Sequence, residues 1–227
     1  MQLVMIYILQ IDTSGNESAV AVSGDGTLLG LARRTGMRDH ASAIHGMTNE
    51  ALGAAGISFG QLKAVAVCAG PGSYTGLRIG LAVAKGFCYA LDIPLLMQHK
   101  LLLLANQNRE TGSESIYMAV LRARTDEYFA ACYDTALRPV WPPQHRMQET
   151  VAEWLKQSVK QVILITDIEN PEQEFGLPEG TAHIPVEGLD PVSWSLFAHQ
   201  AFLDNKTTDL RAAEPFYMKD VFINKKL

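Results

Sequence analysis

The segment IYILQIDTSGNESAVAV, starting at Ile6, can be laid without a gap on IYMAVLRARTDEYFAAC, starting at Ile116. Each is an apolar run, a short polar turn and a second apolar run, the pattern of two antiparallel strands joined by a tight connection. A strand pair cannot bury its apolar face alone, so a chain that carries it at the head of both halves is constrained to two α/β units, each built around its own copy.

The residues after each copy agree with this plan. In the first half, strands at residues 4–11, 18–23 and 27–34 are separated by TSGN and GDG turns. A helix from Asp39 to Ala55, a strand from Ala64 to Ala69, a helix from Thr75 to Ala90 and a short strand from Pro94 to Met97 come next. After the second copy the pattern predicts a strand at Arg138 to Trp141, a helix at Glu149 to Gln157 and a strand at Val162 to Asp167. Duplicated βββαβ lobes with mixed sheets flanked by helices, stacked with a cleft between them, are the expected architecture. The polar stretch RETGSES at Arg109 to Ser115 separates a first lobe, 1–108, from a reduced second lobe, 109–190. Pro171 to Gly180 reads as a surface loop. A final helix from Pro191 to Leu203 spaces Trp194, Phe197, Ala198, Ala201 and Phe202 as a core face, so residues 191–227 are expected to pack back on the first lobe.

Composition limits the partners. The 227 residues are 48% hydrophobic and 19% charged, enough for a substantial soluble core. A formal net charge of −5 gives no general attraction to nucleic acid, whose binding needs clustered Lys and Arg; any RNA contact has to be local, with Arg33, Arg34 and Arg38 as the residues available, or to go through a partner. The three cysteines, Cys68, Cys88 and Cys132, lie apart in apolar runs without CxxC spacing and read as small core residues of a reducing compartment. The run from Val4 to Ile11 breaks at Gln10 and Asp12, too short for a membrane span, so a cytoplasmic protein is expected.

The segment CAGPGSYTGLRIG, Cys68 to Gly80, is the first candidate site. It lacks the Lys of a GxxxxGK[ST] phosphate loop, and Thr75 stands where a GxGxxG fingerprint needs its third glycine. What remains is a strand, a turn stiffened by Pro71 and a helix whose first N–H groups can meet an anion. Gly76, Gly80 and Ala84 recur every four residues, so one helix face is nearly bare and another helix can approach it. Helix docking is the favoured reading, and on it Gly80→Leu abolishes partner binding while the fold stays cooperative.

Asp12, Thr13 and Ser14 at the end of the first strand form the second candidate. With Gly70, Gly72 and Ser73 they compose a possible vestigial nucleotide loop, in which Asp12 holds a hydrated magnesium ion, or else a plain turn. A phosphotransferase would want a carboxylate from each lobe, yet Arg122 is the counterpart of Asp12 in the second copy. His40 and His45 are five residues apart, off one helix face, and no Ser sits in a GxSxG elbow.

LQIDTSGNESAVAV, a helix introduced by RDHA, GPGSYTGLRIGLAVAKGF and a terminal AEPFYMKD together resemble the TsaB (YeaZ) family, most specifically at Gly70 to Gly86. The resemblance implies an actin-like, sugar-kinase-like two-lobed fold of the ASKHA (ribonuclease H-like) type. It implies a non-catalytic component of tRNA threonylcarbamoyladenosine synthesis that binds TsaD through its first-lobe helices, with the ATPase TsaE joining the pair. The contact residues expected there are His40, Ile44, Met47, Tyr74, Thr75, Gly76, Arg78, Gly80 and Ala84. A homodimer when alone, tRNA reached only through the complex, no cofactor of its own, and ATP and a metal ion in the partner proteins are further implications. The catalytic relative TsaD holds its metal with an HxxxH pair, which this chain lacks. Where the family's second lobe usually reads DARxxEVY, this chain has RARTDEYF, with Arg122 in place of the acidic residue. The alternative is a stand-alone ATPase or phosphotransferase with its site between the lobes at Asp12, Ser14 and the glycine loop; a zinc peptidase is a third reading.

Overall fold

The computed structural model describes residues 5–36, 40–110, 114–158, 160–178 and 181–218, without the side chains of 40–42. The chain forms two compact units: one runs to Gln107 and resumes over Glu187–Pro215, the other occupies Asn108–Val186 with residues 216–218; residues 219–227 of the expected C-terminal segment lie outside the described residues.

The first unit opens with the antiparallel meander β1 (Tyr7–Asp12), β2 (Glu17–Gly24) and β3 (Thr27–Thr35), in which Leu9 faces Val22 and Ala21 faces Leu31. Asp25 and Gly26 both take positive φ between β2 and β3, the geometry that matches the twist of a two-residue hairpin. Then come α1 (His40–Ala55), β4 (Leu62–Gly70), α2 (Tyr74–Leu91), β5 (Leu95–His99) and α3 (Lys100–Asn108). β4 lies parallel to β1 and β5 parallel to β4, giving the order β3-β2-β1-β4-β5.

Both faces of this sheet are covered, which explains why β1 reads as an unbroken apolar run. Alternate residues Leu9 and Ile11 join Val20, Val65, Val67, Ile44, Met47, Leu81, Ala84 and Cys88 in one core beneath α1 and α2. The residue between them, Gln10, points the other way, and its buried side-chain amide hydrogen-bonds the hydroxyls of Ser23 and Ser195 at 3.1 and 3.0 Å. Ser195 belongs to α6 (Pro191–Leu203), whose Trp194 indole N–H also donates to Gln98 of β5. Asp190 caps α6 by accepting from the N–H groups of Val192 and Ser193, and Pro191 occupies the first turn, where its missing N–H costs nothing.

The second unit repeats the plan. The meander β6 (Ile116–Arg124), β7 (Glu127–Tyr133) and β8 (Pro139–Met147) is followed by α4 (Gln148–Gln157), β9 (Val162–Thr166) parallel to β6, the short α5 (Pro171–Phe175) and β10 (His183–Pro185) parallel to β9. Its order, β10-β9-β6-β7-β8, is that of the first sheet read from the other edge. Tyr128, Phe175, Leu164, Val151 and Met118 fill its core.

One local expectation needs correction, and one element was not read from the sequence. The stretch starting at Pro171 is not all loop: Pro171 opens the helix α5 and Gly176, at φ +57°, closes it with the left-handed turn that glycine permits. The leucine run after β5 forms α3, for which the periodicity gave no helix. Val4, Asp39 and residues 111–113 of the expected lobe boundary lie outside the described residues.

Candidate functional site

The glycine loop and the turn after β1 are one packed assembly. A Cβ on Gly72 would lie 2.2 Å from the Ser14 carbonyl oxygen, one on Gly76 would lie 2.0 Å from the Thr13 carbonyl oxygen, and one on Gly80 would lie 2.3 Å from the Thr13 hydroxyl. These distances are far inside van der Waals contact, so each glycine is required by the approach of the β1–β2 turn to α2.

Hydrogen bonds close the assembly. The Ser73 N–H donates to the Ser14 carbonyl at 2.8 Å, and the Ser14 N–H donates to the Asp12 carboxylate at 2.9 Å. Ser73 caps α2 by accepting from the Gly76 N–H at 3.2 Å, and the Thr13 hydroxyl donates to the Gly76 carbonyl at 2.7 Å. An anion at a helix N-terminus is held by N–H groups that have no other acceptor. Here the N–H groups of Ser14, Ser73 and Gly76 already have acceptors within the chain. Gly70 ends β4 at φ +107° and joins Pro71 through a cis peptide.

Two neighbours complete this end of the sheet. Lys100, at the start of α3, brings its ammonium nitrogen to 3.6 Å from where a Cβ on Gly15 would stand. Cys68 is buried close by, and desolvation reinforced by the Asp12 carboxylate pushes its thiol up to about 12, so it stays protonated at neutral pH. Burial likewise pushes Cys88 up to about 11 and Cys132 up to about 12; all three thiols are free and buried. No group of three or more His, Cys, Asp or Glu side chains able to hold a metal ion occurs among the described residues.

The bare stripe of α2 therefore faces inward, and its expected role as a helix-docking face is corrected. Gly76 and Gly80 are filled by Thr13, and Ala84 is fully buried in the core. Ile44 and Met47 of α1 are also core residues, at 0% and 2% exposure, and so offer no contact to another protein. Tyr74, Thr75 and Arg78 are exposed, with the Arg78 guanidinium 4.2 Å over the Tyr74 ring. The side chain of His40, and Arg38, lie outside the described residues.

A second set of small residues was not read from the sequence. Ala82, Gly86 and Ala90 follow the same four-residue spacing two positions along, about 200° round the helix, and are exposed. A Cβ on Gly86 would meet nothing within 4 Å, and the same holds for Gly46 and Gly53 of α1. Tyr89, 86% exposed, stands beside this stripe. α1 and α2 touch through His45, edge-on to Phe87 at 5.6 Å.

In the second unit, Arg122 lies near the end of β6. Its guanidinium meets Glu174 of α5 at 2.8 Å and lies over the ring of Tyr128, whose hydroxyl also donates to Glu174. Its backbone N–H donates to Asp167 at 2.9 Å. Burial and the Glu174 carboxylate push the Tyr128 phenol up to about 12, while the Arg122 and Tyr128 bonds hold Glu174 below the usual carboxylate range. A polar cavity of 670 Å³ lies at these strand ends, lined by Arg122, Gln148, Asp167, Glu169, Asn170 and Glu174 among others.

Comparison with known proteins fits this architecture. The family model for TsaD, tRNA N6-adenosine threonylcarbamoyltransferase, matches residues 30–180. The tRNA threonylcarbamoyladenosine biosynthesis protein TsaB of Escherichia coli is 27% identical over 233 residues, covering 97% of each chain. That of Haemophilus influenzae is 30% identical over 152 residues, 65% of this chain and 63% of the relative. The threonylcarbamoyltransferase of Moorella thermoacetica is 36% identical, but over only 42% of this chain and 32% of its own length. The solved structure of YeaZ from Pseudomonas aeruginosa superposes with a TM-score of 0.77 at 27% identity, covering 94% of this chain and all of that one. Ethanolamine utilization protein EutJ of Carboxydothermus hydrogenoformans, with a TM-score of 0.53 at 10% identity over 84% of this chain and 90% of its own, shares the fold alone. With an actin-like two-lobed fold and relatives matched along nearly its whole length, the chain belongs to the TsaB (YeaZ) family of tRNA threonylcarbamoyladenosine biosynthesis proteins.

Proposed function

We propose that this chain is a non-catalytic scaffold that binds TsaD, with TsaE joining the pair, and so enables threonylcarbamoyl transfer to the adenosine beside the tRNA anticodon. It brings no cofactor of its own; ATP and a metal ion belong to the partner proteins. Alone it forms a homodimer, it acts in the cytoplasm, and tRNA reaches it through the complex.

The observation that carries this reading is the closure of the glycine loop on the β1–β2 turn, which gives the N–H groups of Ser14, Ser73 and Gly76 acceptors inside the chain. The Arg122–Glu174 ion pair in the second unit adds support, because a cation stands where a two-carboxylate site would place an anion. The docking surface in this proposal is the outer side of α1 and α2: Tyr74, Thr75 and Arg78 at one end, then Ala82, Gly86, Tyr89 and Ala90, beside Gly46 and Gly53. The small residues Ala82, Gly86, Ala90, Gly46 and Gly53 of this surface leave room for another helix to come close.

Threonylcarbamoyl transfer to tRNA, reconstituted from the synthase, TsaD and TsaE with and without this chain, tests the proposal. Modification is expected only when the chain is present, and equal modification without it overturns the scaffold reading. ATP turnover by the isolated chain, lost in Asp12→Ala, would instead establish the phosphotransferase alternative.

A further inference from the structure

We infer that Thr13 is a positioning residue for the docking side of α2, an inference that rests on the docking proposal above. Thr13 is 1% exposed, so no partner can reach it. It nevertheless contacts α2 on both of its first two turns. Its hydroxyl donates to the Gly76 carbonyl at 2.7 Å, its carbonyl occupies the space a Gly76 side chain would need, and its hydroxyl occupies the corresponding space at Gly80. Ser14 extends the same contact to Gly72 and Ser73.

These contacts set how far α2 stands from the sheet at its N-terminal end. The exposed residues Tyr74, Arg78 and Ala82 lie on the other side of the same turns. A helix is stiff across its diameter, so a displacement at the inner side appears at the outer side. Dispersion contacts lose a quarter to a half of their strength over a gap of about 0.5–1 Å, and a docking face of small side chains relies on such close contact. The turn and the glycine loop thus serve to hold a surface in place.

Replacing the hydroxyl with a methyl group is the direct perturbation. Carbon and carbonyl oxygen settle at about 3.3 Å or more, so Thr13→Val has to push α2 outward by roughly half an ångström. Thr13→Ser keeps the donor, and Thr13→Ala removes the bond without crowding the helix.

The experiment titrates the cognate TsaD against the full-length chain and its variants by isothermal calorimetry, with thermal unfolding of each variant alongside. Thr13→Val and Thr13→Ala are expected to unfold cooperatively and to bind about tenfold more weakly, with Thr13→Ser within about twofold of wild type. If Thr13→Val does not fold, Thr13→Ala decides the matter by the same criterion. Gly86→Arg, which alters the outer surface directly, separates the two ideas. Loss of binding in Gly86→Arg with wild-type affinity in the Thr13 variants overturns the positioning role and leaves the docking proposal standing. Wild-type affinity in Gly86→Arg overturns the docking proposal, and this inference with it.

Discussion

The Arg122 guanidinium of β6 meets the Glu174 carboxylate of α5 at 2.8 Å, and the Tyr128 hydroxyl donates to the same carboxylate. A five-residue helix cannot hold itself in water, so α5 depends on anchors. Phe175 supplies one, buried edge-on against Tyr128 at 5.2 Å, and the Arg122–Glu174 pair supplies the other.

That pair has a pH signature. Glu174 titrates lower in the folded chain than in the unfolded chain, chiefly because of Arg122. Its contribution is therefore present above the ordinary carboxylate range near pH 4.5 and is lost as pH falls through the lowered folded value. Both side chains are partly solvated, so the pair contributes about 0.5–1 kcal/mol. Arg122→Met should lose that amount at pH 7 and progressively less as pH falls below about 4.5, measured by urea unfolding across that range.

His99, at the end of β5, titrates well below an exposed histidine. Burial lowers it from 6.5 to about 4, so it is neutral in the fold while the unfolded chain takes up a proton below pH 6.5. The stability this represents is intact above pH 6.5 and is lost as pH falls from there towards 4, with a slope of at most about 1.4 kcal/mol per pH unit. His99→Gln should flatten the stability profile across that window.

A methyl group at Gly72 would overlap the backbone oxygen of Ser14, which cannot swing aside as a side chain can. Gly72→Ala should therefore destabilise the first unit by about 2–3 kcal/mol. Hydrogen exchange should rise at Ser73 and Ser14, whose N–H groups lie in the contact that has to open. Unchanged protection there would mean that the turn shifts as a body.

Much of the fold was legible because its signals are periodic. Leu9 and Ile11 alternate with Gln10, turn residues such as Asp25-Gly26 punctuate the strands, and the pattern recurs from Ile116, so both meanders and the duplication were readable. α3 was not, because LMQHKLLLL runs from strand to helix with no glycine, proline or cap between them. α5 was hidden by a composition that suggested a loop, although Pro171 at its start and Gly176 past its end were ordinary helix signals. The misreading of α2 was a matter of direction. Two stripes of small residues share the four-residue spacing, and spacing alone does not say which faces inward. Leu77, Leu81 and Cys88 did hold that information, since they are buried and lie beside Gly76, Gly80 and Ala84.

The contrast between the two stripes yields the sharpest test of the docking surface. Gly80→Leu places its Cβ 2.3 Å from the Thr13 hydroxyl and its remaining atoms in the packed core, so the expectation of a cooperative fold without binding is reversed. It should destabilise the chain by about 3 kcal/mol or more, seen as a lower unfolding midpoint with or without a partner. Gly86→Leu meets open space and should leave the unfolding midpoint within a few degrees, even gaining slightly from the better helix former. If α2 docks TsaD through its outer side, Gly86→Leu should weaken the complex by at least about tenfold in a calorimetric titration while its own fold is intact. Equal affinity for TsaD in wild type and Gly86→Leu would overturn the docking proposal, as the same result in Gly86→Arg would.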